Sequence, residues 1–143
     1  MWTGIPPFNY TGAGQASTFL LPKIVAHFKA KAAVLELGNL QVIRDFSDVR
    51  CIAQAYCKLL QGKFAGEVLN VCSGQGHSLM EVLDMMKRLT GHEPEIRVNP
   101  AFLRTNEVHR LVGDGAKLTR LIGPIPSIPL QGTLKWMLGE GGV

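Results

Sequence analysis

The stretch Leu37-Gly38-Asn39-Leu40-Gln41-Val42-Ile43-Arg44-Asp45-Phe46-Ser47-Asp48-Val49-Arg50 reads as a turn, a short strand and the start of a helix. Gly38-Asn39 is a turn signal, weaker than the reverse order. Gln41 to Phe46 reads as a strand, with Gln41 and Ile43 on one face and Val42 and Arg44 on the other. Ser47 then caps a helix, with Asp48 in its first turn, where negative charge suits the helix dipole. This places Arg44 where a strand stops and a helix begins. A guanidinium beside a helix N-terminus is a good place to hold a phosphate. On the residues alone, a surface ion pair with Asp45 or Asp48 is an equal alternative.

Downstream, Val49, Ile52, Ala53, Tyr56, Leu59 and Leu60 recur at helical spacing, and Gly62 ends that helix. Glu67 to Cys72 reads as a buried strand and Ser73-Gly74-Gln75-Gly76 as a loop. Ser78-Leu79-Met80-Glu81 is a capping box, followed by Leu79, Val82, Leu83, Met86 and Leu89 on one face and closed by Gly91. Glu95 to Val98 reads as a strand. The segment from Pro100 to Val108 is irregular and charged, and Arg110 to Gly113 reads as a last short strand. Ala116 to Ile122 and Leu130 to Leu138 read as helices, separated by the proline-rich run Gly123-Pro124-Ile125-Pro126.

Upstream, residues 1–16 hold Gly4, Pro6, Pro7, Gly12 and Gly14, so they read as loop with at most one short strand around Trp2 to Phe8. Ser17 can cap a helix running to about Lys31, with Phe19, Leu20, Ile24, Val25 and Phe28 on one face. Ala33 to Leu37 is a short apolar run. Short strands alternating with helices, with no repeat or low-complexity tract, predict a single domain over 1–143 of α/β, α+β-like class.

The 143 residues suffice to bury a core, and 46% hydrophobic with 18% charged residues exclude a disordered chain. A net charge of +4 suits an anionic ligand such as a diphosphate, but it is too scattered for nucleic acid. No apolar run approaches a membrane span, and the N-terminus has neither the basic start nor the apolar core of a signal peptide. Cys51, Cys57 and Cys72 are odd in number and lack a C-x-x-C spacing, which predicts buried reduced thiols in a cytoplasmic protein.

Chemical motifs are sparse. Gly74-Gln75-Gly76 follows an expected strand, but Leu79 stands where a dinucleotide fingerprint needs its third glycine, so a tight-turn loop is the better reading. His27, His77, His92 and His109 have no zinc spacing, and there is no G-x-S-x-G elbow or P-loop. Arg104 and Glu107 sit three apart. They could hold a diphosphate and a ribose, although on the residues alone a solvated loop is the stronger reading.

Five segments in order carry a resemblance. They are Pro7-Phe8-Asn9-Tyr10-Thr11-Gly12-Ala13-Gly14-Gln15; Gly38-Asn39-Leu40 with Arg44-Asp45-Phe46-Ser47-Asp48-Val49-Arg50; Gly66-Glu67-Val68-Leu69-Asn70-Val71-Cys72-Ser73-Gly74; Arg104-Thr105-Asn106-Glu107-Val108; and Val112-Gly113-Asp114. Together they resemble the C-terminal, substrate-binding part of extended short-chain dehydrogenase/reductases of the epimerase/dehydratase type. The branch they look most like is GDP-mannose 4,6-dehydratase and GDP-4-keto-6-deoxy-mannose reductase. The resemblance implies that Asn9 contacts the phosphate side of a nucleotide-diphosphate sugar, GDP-linked in this branch, and that Lys23 lies near the nucleotide. It implies that Gly38, Asn39 and Leu40 line the base pocket, that Arg44 and Arg104 clamp the diphosphate, and that Glu107 binds ribose.

The resemblance also has departures. Pro6 stands where the family has arginine, and Pro124 where it has tryptophan. The family's NAD(P)-binding glycine loop and its Y-x-x-x-K pair would lie upstream of residue 1. Tyr10 is followed four later by Gly14 and Tyr56 by Leu60, so neither pair replaces it. The expectation is therefore a small substrate-binding domain without the Rossmann domain, holding no cofactor and incompetent for hydride transfer alone. An alternative is a free-standing nucleotide-sugar-binding or self-associating module. Homo-oligomerisation is expected through an uncovered side near Trp2, Ile5 and Phe8.

Overall fold

The computed structural model of the chain describes residues 4–139, so the expectation for Trp2 falls outside the described residues. The elements in chain order are β1 (Asn9–Thr11), α1 (Leu20–Lys29), β2 (Val34–Leu37), β3 (Ile43–Asp48), α2 (Val49–Leu60), β4 (Gly76–Ser78), α3 (Leu79–Thr90), β5 (Glu95–Val98), β6 (Arg110–Leu111), α4 (Ala116–Ile122) and α5 (Leu130–Met137). This mixed α/β arrangement, with largely parallel pairing, is the expected class.

Strand β3 organises the sheet because three strands pair with it. β1 runs parallel, Asn9 opposite Phe46 and Thr11 opposite Asp48. β6 is also parallel, opposite Ile43 and Arg44, and β4 is antiparallel, with Gly76 opposite Asp45. β2 and β5 form a separate parallel pair.

Burial divides into two clusters. The larger joins α1, β2, α3 and α5 through Ile24, Phe28, Leu35, Val82, Met86 and Leu134. The smaller joins α2 and α4 to the segment around Leu69 and Val71 through Ile52, Ala55, Leu59 and Leu118. Helix α3 forms where its local signals place it. Ser78 Oγ accepts from Glu81 N–H at 3.2 Å, Glu81 returns the bond to Ser78 N–H at 2.7 Å, and Gly91 closes the helix at φ 68°.

Several boundaries differ from the sequence reading. Helix α1 starts at Leu20 with no side-chain cap, so Ser17 does not cap it. Phe19 lies 57% exposed, and Leu21 takes the buried position expected for Leu20. β3 runs two residues beyond Phe46, because pairing with β1 keeps Ser47 and Asp48 extended, and Asp48 rather than Ser47 caps α2. On α2 the buried stripe takes Ala55 rather than Ala53, and Leu60 points to solvent.

Residues 67–72 make no ladder with the described residues. Their strand-like contacts are two isolated bridges, Gly4 to Val68 and Pro7 to Val71. The Gly76 end of the expected loop instead joins the sheet as β4. Cys57 is exposed, against the expectation that all three thiols are buried. No helix among the described residues is long and apolar enough to cross a membrane.

Candidate functional site

Alternation along β3 sends Arg44 and Phe46 to one face, where they line a cleft of about 510 Å³ together with Val42 just before the strand. The first turn of α1 supplies Lys23 to the opposite wall, β1 supplies Asn9, and the turn after β2 supplies Gly38 and Asn39. The irregular segment before β6 contributes Phe102, Arg104 and Glu107. Seven of the eight residues assigned to substrate from the sequence thus meet in one cleft. The eighth, Leu40, does not line it. Its carbonyl accepts from Met80 N–H at 3.4 Å and its side chain packs on the larger core.

Local chemistry explains how these groups are held. Gly38 permits a close approach, because a Cβ there would lie 2.7 Å from the carbonyl oxygen of Phe102. Backbone cannot yield as a side chain tip can, so the glycine fixes how near the 102–107 segment comes to β2. Asn39 Oδ1 accepts from Gln41 N–H at 3.0 Å, an Asx turn that shapes the corner into β3. Lys23 Nζ donates to the Glu36 carbonyl at 2.8 Å and sits 4.5 Å from the Phe102 ring centroid.

Arg44 makes neither of the ion pairs that its position offered, with Asp45 or with Asp48. Its Nη1 donates to the Ile43 carbonyl at 2.9 Å, and its Nη2 lies 3.6 Å from Glu107 Oε1. Both side chains of this pair are mostly shielded, at 16% and 20% exposure. The exposed Arg104 guanidinium makes no hydrogen bond or ion pair with the described residues. The charged lining is therefore Lys23, Arg44 and Arg104 against Glu107, three cations to one carboxylate. An anion entering the cleft meets a positive field already in place.

The other face of β3 has a different task. Asp45 is fully buried. Its Oδ1 accepts from Ser73 N–H at 2.9 Å and from the Ser73 hydroxyl, and its Oδ2 accepts from Gly74 N–H at 2.9 Å and Gly113 N–H at 3.1 Å. One carboxylate thus ties β3 to two distant backbone segments, at 73–74 and at 113. Asp48 bonds Arg50 through its backbone and guanidinium, and accepts from the Thr133 hydroxyl at 2.8 Å, which anchors α5. Burial alone would raise the Asp48 carboxyl, but the Arg50 and Thr133 hydrogen bonds and the Arg50 charge together hold it below the ordinary 3.8. The Arg50 guanidinium also lies 3.9 Å from the Trp136 ring centroid.

The glycine pair in the 74–76 segment does not fit a dinucleotide. The Ser73 and Gly74 amides are already bonded to Asp45, and Gly76 opens a strand rather than a helix, so no row of free amides faces a pyrophosphate. No cluster of potential metal ligands occurs among the described residues. His27 and His92 are engaged with the backbone carbonyls of Lys23 and Ala32. Burial pushes the Cys51 and Cys72 thiols up, away from thiolate chemistry. The sequence reading overlooked Phe102 and Phe19 as cleft residues. Phe102 lies two positions before Arg104 in the irregular charged segment, which is a signal, whereas Phe19 reads as part of the apolar face of α1 and gives none.

Comparison with known proteins supplies the context for this cleft. The family model described as GDP-mannose 4,6 dehydratase matches residues 2–137. The chain is 34% identical over 121 residues to GDP-6-deoxy-D-talose 4-dehydrogenase of Aggregatibacter actinomycetemcomitans, covering 85% of this chain and 41% of that protein. It is 35% identical over 139 residues to GDP-6-deoxy-D-mannose reductase of Pseudomonas aeruginosa, covering 94% and 46%. A crystal structure of a candidate epimerase from Burkholderia cenocepacia J2315 superposes with a TM-score of 0.93 at 48% identity, covering 96% of this chain and 45% of that one. The structure of RMD from Pseudomonas aeruginosa complexed with NADPH gives 0.85 at 33%, covering 96% and 47%. The chain spans less than half the length of the relatives it matches.

Proposed function

This chain belongs to the GDP-mannose 4,6 dehydratase family, and from that membership we propose that it is the substrate-holding portion of an NAD(P)-dependent nucleotide-sugar dehydratase, epimerase or reductase. The cleft beside β3 seats a nucleotide-diphosphate sugar. Arg104 and Arg44 grip the diphosphate, Glu107 accepts from the ribose, and Lys23, Gly38 and Asn39 flank the base. The observation that carries this reading is the charge balance of the cleft: three cations stand against one carboxylate, and Arg104 is uncommitted. A guanidinium with no internal partner keeps its full donor set for a ligand.

A GDP-linked ligand suits the relatives, whose names refer to GDP-sugars. Among the described residues the 74–76 glycine pair is taken up by Asp45 and a strand, so calorimetric titration of the chain with NAD(P)H is expected to give no saturable binding. Titration of GDP-mannose, GMP and mannose into isotope-labelled protein, followed by amide chemical shifts, tests the reading. GDP-mannose should perturb Asn39, Arg44 and Arg104 with a Kd of about 1 mM, or roughly −4 kcal/mol. Mannose and GMP should bind more weakly. Mannose matching GDP-mannose, or shifts that avoid those residues, would remove the cleft from consideration.

A second reading, association of the chain with a copy of itself, rests on a separate apolar hollow. Ile5, Tyr56, Leu59, Leu60 and Phe64 line it, and Leu60 is 86% exposed. Light scattering after size exclusion should give a dimer or larger; a monomer across a concentration series would defeat it.

A further inference from the structure

Ser47 sits on the face of β3 turned away from the cleft, and its side chain is an anomaly. The residue is 4% exposed, yet its hydroxyl has no hydrogen-bond partner among the described residues. Buried polar groups in folded proteins are nearly always bonded, so an exception calls for an explanation. Ser47 lines a partly open cavity of about 310 Å³ between the start of α2, residues 71–74, α4 and the 125–128 loop. None of the residues lining this cavity lines the cleft. Adjacent residues of β3 line the two, Phe46 the cleft and Ser47 the cavity.

The lining defines what could enter. Ile52, Val71, Leu118, Ile125 and Ile128 supply apolar walls. No lysine, arginine or histidine is among the lining residues, so an anion would find no counter-charge. Asp48 is the one charged residue there, and its carboxylate already accepts from the Arg50 amide, the Arg50 guanidinium and the Thr133 hydroxyl. A cation would therefore find its lone pairs taken. The Cys51 thiol is likewise committed, donating to the Pro126 carbonyl at 3.1 Å. What remains is a chamber of mixed polar and apolar lining in which the Ser47 hydroxyl is buried and unused, able both to donate and to accept, with the exposed Ser127 also in the lining. Its volume is at the small end of ligand sites.

We propose that this cavity is a binding site for a small uncharged molecule with an apolar body and one amide or hydroxyl edge, which hydrogen-bonds Ser47 Oγ. The site is independent of the nucleotide-sugar reading of the cleft.

Three probes of nearly one shape separate the possibilities: benzamide, neutral; benzoate, anionic; and benzamidine, cationic. Each is titrated into isotope-labelled 143-residue chain and followed by amide chemical shifts. Benzamide should give saturable shifts at Ser47, Cys51, Ser73 and Gly115, leaving Arg44 and Arg104 unmoved. Benzoate and benzamidine should need at least about tenfold higher concentration, the penalty expected for bringing an unpaired charge into a site with no free counter-charge. Ser47→Ala should weaken benzamide about fivefold or more, the scale of one lost hydrogen bond. Ile128→Trp, which fills the chamber and leaves residue 47 unchanged, should abolish binding. Equal binding of all three probes, benzamide shifts confined to the cleft, no saturation, or an unaffected Ser47→Ala variant would each overturn the proposal. Loss of GDP-mannose binding would not bear on it.

Discussion

An Asp45→Asn variant is expected to melt about 10 °C below the parent chain, a loss on the order of 3 kcal/mol. The substitution keeps the shape of the side chain, so no cavity forms and the effect is electrostatic. In the parent, both carboxylate oxygens act only as acceptors: Oδ1 for Ser73 and Oδ2 for Gly74 and Gly113. An asparagine has one oxygen and one NH₂ group. Whichever way the amide is turned, its NH₂ faces a backbone N–H, and a donor meets a donor where the residue is fully buried.

The three segments tied by Asp45 would separate, and with them the connection running from Gly113 back toward Arg104 and Glu107. Asp84→Asn on the exposed side of α3 is the control and should change stability by less than about 0.5 kcal/mol. Thermal unfolding followed by circular dichroism reads both. If Asp45→Asn melts within 2 °C or so of the parent, water replaces the carboxylate at little cost and Asp45 is not the tie described above.

The second large effect is on binding. Arg104→Ala should weaken GDP-mannose by at least about tenfold, taking a weak ligand beyond detection. A charge-assisted bond to a phosphate contributes roughly 1.5–3 kcal/mol in a partly desolvated site. Arg104 should give this without offset, since it gives up no internal partner on binding. Arg44→Ala is expected to cost less, because Arg44 already faces Glu107 at 3.6 Å and must share itself between that carboxylate and the ligand. Lys31→Ala, outside the cleft, should bind like the parent. Shift titrations of the three variants measure the order. An Arg104→Ala variant that binds as well as the parent would show that the exposed arginine is only a solvated loop residue.

The parts of this molecule legible in the sequence are those set by neighbours in the chain. Helix α3 is the clearest case: Ser78, Glu81 and Gly91 close its ends through bonds to residues three or four positions away. Strand β5 and helix α4 likewise have the bounds that their apolar spacing and flanking Gly and Pro suggest. The cleft was legible in a different way. The spacing of Arg44, Arg104 and Glu107 said little alone, and the resemblance of five ordered segments supplied their grouping. The resemblance also carried Leu40 along with Gly38 and Asn39, and the structure sets Leu40 aside, its carbonyl bonded to Met80 N–H and its side chain against the core.

What the sequence by itself determined is thus the alternation of short strands and helices, the capped helix, and the excess of basic residues suited to an anion. Tertiary structure alone decided where β3 ends and what Asp45 and Ser47 do. Asp48 rather than Ser47 became the cap because β1, some 37 residues away, holds both residues extended, as Tyr10 opposite Ser47 and Thr11 opposite Asp48 record. Asp45 looked like a partner for the adjacent Arg44, yet it bonds groups 28, 29 and 68 positions distant. The physical reason is common to these cases. Caps and amphipathic stripes are short-range and written in adjacent residues, whereas strand pairing and buried polar bonds depend on which segments the packed cores bring within about 3 Å, a distance no local pattern encodes.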